Sequence, residues 1–147
     1  MFIDTQELFS DSQAVTVSAN SSNVIDTIAA GIQLSGMVTN PIGCFARVLQ
    51  AFAGGTSLQI SLVSADDAAL STNLSTHFTT PAIPAASLIA GLLALGANVP
   101  AQKLRRYLGL KYIVIGTMTA GTIIAGLAAN VDSVMHTSDF AKGFTAL

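Results

Sequence analysis

"KYIVIGTMTAGTIIAGLAANVD", residues 111–132, contains twenty consecutive residues without a formal charge between Lys111 and Asp132. Such a run is either a membrane-spanning helix or a pair of strands joined by a turn, and the choice decides the fold. A helix that crosses a bilayer needs about 20 apolar residues, and 112–131 reach that length with positive charge on one flank. Its middle, "GTMTAGT", nevertheless holds three threonines and two glycines in seven residues, where a spanning helix should be strongest. Gly116, Gly121 and Gly126 are five apart, which spreads them around a helix of 3.6 residues per turn and leaves no close-packing stripe. Read as strands, "GTMTAG" becomes a loop, and "TIIAGLAANV" places Ile123, Ala125, Leu127, Ala129 and Val131 on one face. The stretch is therefore expected to be a β-hairpin. A second apolar run near 83–99 is cut to fifteen residues between Pro84 and Pro100.

The same texture extends outward. Short apolar bursts are broken by Gly, Pro, Asn or Asp every eight to twelve residues or so, the rhythm of a sandwich or barrel. "AVTVS" (14–18) and "NVIDT" (23–27) are expected strands around the turn "ANSS". "CFARVLQAF" and "TSLQISLVSAD" flank "AGG", a hairpin signal. In the second arm Leu58, Ile60 and Leu62 alternate with Gln59 and Ser61, so one face should be buried and the other wet or interfacial. "LSTHFTT" (74–80) and "LLALGANV" (92–99) are further strands, and Pro84 suits the start of one helical turn ending at Gly91. In 105–115, Arg106, Leu108, Leu110, Tyr112 and Val114 would share a face. The chain divides into an arm over 1–13, a sandwich of about eight strands over 14–132 and a tail over 133–147 that is either a docking arm or a frayed end.

With 147 residues, one domain is expected. Only 10% of residues are charged against 51% hydrophobic, too little charge to cover a free monomer, so an interface or a membrane should hide apolar surface. The net charge of −2 gives no reason to expect a nucleic-acid partner. Charge is unevenly placed: Asp4, Glu7, Asp11 and Asp26 are the only charges before Arg47, while Lys103, Arg105, Arg106 and Lys111 cluster within nine positions. Pairing of the acidic segment with the basic group across a dimer, or steering of docking, is expected to weaken with salt. The N-terminus has neither a basic start nor an apolar run, so no signal peptide is expected.

Residues that carry chemistry are scarce. Cys44 stands alone among apolar neighbours and reads as a small buried residue. His77 and His136 lack partners at metal-ligand spacing apart from Asp132, and no Gly-x-Ser-x-Gly, P-loop or Gly-x-Gly-x-x-Gly pattern occurs. Asp66 and Asp67 are adjacent, a spacing that suits capping a turn and not paired acid–base catalysis. No catalytic residue, metal or cofactor is expected.

"LFSDSQAVT" (8–16), "LQISLVSADDAALST" (58–72), "PAIPAASLIAG" (81–91) and "RRYLGLKYIVIGTMTAGTIIAGL" (105–127) occur in that order. Together they resemble the capsid cement, or decoration, proteins of tailed bacteriophages, of the type first described in a Bordetella phage. The resemblance implies a jelly-roll β-sandwich on the outside of an icosahedral HK97-fold shell, where it reinforces contacts between capsomers. It implies the major capsid protein as partner, self-association as a homodimer, with a trimer also hiding apolar surface, and a place on the virion exterior after synthesis in the host cytoplasm. Phe2, Ile3, Leu8 and Phe9 are expected as arm contacts and Arg105 and Arg106 as interfacial residues. For Leu8 and Phe9 the equal alternative is that they close the monomer's own core. Rival readings are a small phage membrane protein of holin type, with spans near 83–99 and 112–131, and a carbohydrate- or receptor-binding jelly roll. The second would need an aromatic groove, which a chain with no tryptophan and two tyrosines is poorly equipped to build.

Overall fold

Residues 111–115 and 118–129 lie in strands. A computed structural model describes residues 5–27, 42–100 and 104–129. In it β9 (Tyr107–Ile115) and β10 (Met118–Ala129) are separated by only Gly116 and Thr117. They do not pair with each other, so the expected hairpin is corrected. Strand β10 lies between β1 (Leu8–Ala14) and β4 (Ile42–Gly54) in a four-stranded sheet, while β9 lies beside β5 (Ser57–Ala65) in a six-stranded sheet. Both are flanked on two sides by other strands, which explains a long run without charge: their core-facing side chains meet the opposite sheet. No helix among the described residues is long and apolar enough to cross a membrane.

The "AGG" hairpin is corrected in the same way. Strands β4 and β5 also belong to different sheets. The two turns run side by side, with Met118 opposite Gly54 and the Thr56 amide donating to the Ile115 carbonyl at 2.8 Å. Gly55 and Gly116 have φ of +61° and +81°, the left-handed region that glycine enters freely. A Cβ on Gly116 would stand 3.0 Å from the Cα of Gly55. Two long ribbons therefore turn the corner between sheets together, at a point where their backbones come too close for side chains.

The first strand also differs from expectation. It is Leu8–Ala14, not 14–18, and the expected arm boundary at residue 13 falls inside it. Ser12 has φ of +52°, and the pairing with β10 shifts register between Leu8 and Ser10 and again between Ser10 and Gln13. These bulges break the alternation by which a strand is recognised. Residues 15–18 instead carry the chain from one sheet to the other.

The remaining strands are β2 (Ala19–Asn20), β3 (Ile25–Asp26), β6 (Ser75–Thr79), β7 (Ile83–Pro84) and β8 (Leu93–Asn98). Pro84 opens a 3-10 turn at Ala85–Ser87, and Gly91 has φ of +90°. Because β2 and β3 both pair with β9, and β6 and β7 both pair with β5, the ten segments occupy eight strand positions. The sheet orders, β1-β10-β4-β8 and β2/β3-β9-β5-β6/β7, are those of a jelly roll. All pairings are antiparallel.

The core fills the space between the sheets. Leu58, Ile60 and Leu62 of β5 and Leu108, Leu110, Tyr112 and Val114 of β9 face Cys44, Ala46 and Val48 of β4 and Ile123, Ala125 and Leu127 of β10, with Phe9 and Leu95 among them. The alternation expected for β9 is present; in β5 Leu58, Ile60 and Leu62 face the core as expected, but Ser61 and Val63 on its other face, and Ser64 further along, are buried too, because β6 and β9 flank this strand and the loop after it folds back over Val63. Burying each Leu or Ile contributes about 1.5–3 kcal/mol relative to leaving it exposed. The 133–147 tail lies outside the described residues.

Candidate functional site

Phe2 and Ile3 lie outside the described residues. Phe9 is fully buried in the core between the sheets, and Leu8 is buried against Phe45 and Ala128 on the other face of its sheet. Both side chains of β1 thus pack within the chain's own fold.

Arg105 and Arg106 stand at the end of the sandwich where β9 begins, and each has an acidic partner in the same chain. Arg105 Nη1 donates to both carboxylate oxygens of Asp66 at 3.1 Å. Arg106 holds Asp26 through Nε and Nη2, the shortest contact being 2.8 Å, and its guanidinium lies 5.0 Å from the centroid of the Tyr107 ring. The hydrogen bonds to Asp26 keep Arg106 protonated beyond its ordinary range. Asp26 of the acidic N-terminal segment and Arg106 of the basic group thus pair inside one chain, where the sequence suggests pairing across a dimer. Both arginines remain about half exposed, at 41% and 45% of their side-chain surface. Lys111 is half-buried in β9, and Lys103 lies outside the described residues.

The loop after β5 is built as its aspartates suggest. Asp67 accepts bonds from the amides of Ser71 and Thr72 at 2.9 and 2.7 Å and from the Ser71 hydroxyl at 2.6 Å. These donors pull its carboxyl down to about 2. Asp66 is also lowered, first by Asn73 and then by Arg105. Leu70, at φ +55°, folds back into a small cluster with Val63 and Ala65 beside Gly109, which has no side chain to obstruct it.

Two polar networks were not visible in the sequence. Tyr112 of β9 reaches Ser10 of β1 across the core, with 2.7 Å between hydroxyl oxygens. The Ser10 hydroxyl donates to Gln13 Oε1 at 2.6 Å, so Tyr112 is the donor to Ser10. Burial pushes the Tyr112 phenol well above its ordinary value and keeps it a donor. In the other, Ser64 Oγ lies 2.7 Å from His77 Nε2 and accepts from the Arg105 amide at 3.1 Å. A serine beside a histidine invites a catalytic reading, but Ser64 is fully buried and no substrate can reach its oxygen. The pair instead joins β5, β6 and the chain entering β9.

Cys44 is wholly buried and desolvation pushes its thiol up, which holds it neutral and unreactive. Among the described residues no three His, Cys, Asp or Glu side chains gather as metal ligands. What this geometry offers is surface: a rigid sandwich with a charged, internally paired end. No curated protein matches the chain. A family model described as Bbp16 matches residues 9–127, from the second residue of β1 to near the end of β10.

Proposed function

The chain belongs to the Bbp16 family, a Bordetella phage protein family of the cement type, and from that premise we propose that it is a cement protein that binds the outer surface of an icosahedral phage shell. The observation that carries this reading is the reach of the family match, which covers all but the first residue of the first strand and the last two of the last. The low charge of the chain supports it, because apolar surface left by a charge content of 10% finds cover in protein interfaces.

The work is mechanical. Each copy lies across the boundary between neighbouring capsomers and adds contacts that must break before the shell opens. A standard interface buries about 800 Å² per partner, and dozens of equivalent copies share the outward load. Phe2 and Ile3 of the arm and the end bearing Arg105 and Arg106 are the proposed shell contacts. The two arginines remain half exposed while holding their acidic partners, so they can add polar contacts without leaving a carboxylate unpaired.

The test is co-sedimentation of purified protein with expanded, undecorated shells of its phage. Saturable binding at a fixed number of copies per shell, with a higher temperature for shell disruption, is expected. Absence of co-sedimentation, together with binding on a glycan array, would replace this reading with a receptor-binding appendage.

A further inference from the structure

Two sheets leave four strand edges, and an unguarded edge offers its backbone to any extended segment. Three of the four are guarded. Along β1 the carbonyls of Leu8 and Phe9 accept from the Asn23 side chain and amide, each at 2.9 Å, and Gln13 Nε2 donates to the Asn20 carbonyl at 2.9 Å, so the chain at 20–23 closes that flank. The edge made by β2 and β3 consists of two pieces of two residues each. The edge made by β6 and β7 is interrupted by Pro81 and Pro84 and by a bulge where the register with β5 shifts between Leu62 and Val63. Strand β8 is the fourth edge: six residues without a charge or a proline, paired among the described residues with β4 alone, its one register shift falling at its start between Leu93 and Leu95. The Val99 amide donates to the Ile42 carbonyl at 2.8 Å, so by antiparallel alternation Ala97 and Leu95 also turn their backbone groups to β4, and Gly96 and Asn98 turn theirs away from the sheet. Arg47 reaches the same flank, for its Nε donates at 3.0 Å to the carbonyl of Gly91, two residues before β8 begins. Arg105 and Arg106 each hold an aspartate, whereas Arg47 has no carboxylate partner among the described residues.

We propose that the free edge of β8 is where an extended segment of the shell subunit adds as a further strand, with a carboxylate of that segment on Arg47; the proposal rests on the cement reading above. The occupant follows from what the edge offers. The outward N–H and C=O groups of Gly96 and Asn98 are met together only by another extended backbone, because a helix spends its own groups internally. Ala94, Gly96 and Ala97 carry short side chains or none, so a neighbouring strand fits at its ordinary spacing of about 4.8 Å. Charge narrows the partner further. Strand β8 has no charge of its own, and Arg47 brings a guanidinium to the end where β8 begins, so the matching segment is uncharged along the strand and acidic beside Leu93. A second copy of β8 has no acidic residue to offer there. Main-chain bonds supply affinity in this mode, and the Arg47 contact sets the register, since a slip of two residues moves the carboxylate by about 6.6 Å.

The experiment is hydrogen exchange of the full chain, free and bound to expanded, undecorated shells, read by mass spectrometry with electron-transfer fragmentation. The Gly96 and Asn98 amides should exchange readily in the free chain and at least about 10-fold more slowly on the shell. Arg47→Gln and Asn98→Pro should each weaken co-sedimentation by about 10-fold, the first by removing the charge that meets the carboxylate and the second by removing an outward amide while the ladder with β4 stays intact. Circular dichroism melts show that both variants fold. Shell binding with unchanged exchange at Gly96 and Asn98, or with unchanged affinity in both variants, overturns the edge proposal and leaves the cement reading standing. Absence of shell binding overturns both. Protection already present in the free chain overturns the proposal as well, giving the edge to a second copy where it grows with protein concentration and to the chain itself where it does not.

Discussion

Tyr112 and Ser10 meet at 2.7 Å inside a core that is otherwise apolar, and their hydroxyls have different obligations. Tyr112→Phe removes the donor but leaves Ser10 bonded to Gln13, so it should cost about 1 kcal/mol. Ser10→Ala strands the phenol in the core and should cost about 1–3 kcal/mol, the penalty of a buried group without its partner. Urea unfolding of the two variants checks the order, and a Ser10→Ala protein as stable as Tyr112→Phe would mean that the phenol finds another partner. The pH dependence has a definite sign. Because the phenol of Tyr112 is raised above its ordinary 10.0 in the folded chain, its contribution is complete below that value and declines as pH rises above it. Tyr112→Phe should flatten that alkaline decline. The arginine pairs carry a different lesson at this scale. Arg106 and Asp26 are 80 positions apart and Arg105 and Asp66 are 39 apart, so only the folded chain reveals that these charges are internally paired and not vacant for a partner.

The corners are the elements on which the fold turns. Gly116→Ala would place a Cβ 3.0 Å from the Cα of Gly55 while holding a residue with a side chain at φ +81°. Strain of this kind costs about 1–3 kcal/mol, readable as a lower urea midpoint with unchanged slope; unchanged stability would show that the two ribbons can separate at the corner. Those glycines also mark the limit of what the sequence discloses. Alternation in Leu58–Ile60–Leu62 and Leu108–Leu110–Tyr112 identifies which face of each strand is buried, because a strand repeats every two residues. It says nothing about which strand lies alongside, and adjacent glycines suit a sheet-to-sheet corner as well as a hairpin. Strand β1 stayed hidden because its bulges at 8–13 place polar residues where alternation calls for apolar ones. The Asp67 turn was legible, since its partners Ser71 and Thr72 are local. With the folded carboxyl near 2 against an ordinary 3.8, the cap is present above about pH 4 and is lost as pH falls towards 2. Hydrogen exchange at the Ser71 and Thr72 amides, corrected for intrinsic rates, should accelerate across that window and do so at neutral pH in Asp67→Ala. Exchange indifferent to both changes would remove the carboxylate as the element that closes the loop.

At the scale of the whole molecule, the proposed cement role separates holding from merely binding, and the difference is measurable. A cement protein that spans two capsomers gains its second contact from a partner already fixed at short distance by the shell, so the two affinities multiply instead of adding. Such coupling commonly strengthens binding by about 10²–10⁴-fold without any new kind of contact. The chain should therefore bind an assembled, expanded shell at least about 100-fold more tightly than it binds an isolated capsomer, as compared by co-sedimentation and by surface-immobilised capsomers in the same buffer. Equal affinity of the parent chain for shells and isolated capsomers would mean that each copy touches a single capsomer, and the protein would decorate the shell without bridging it.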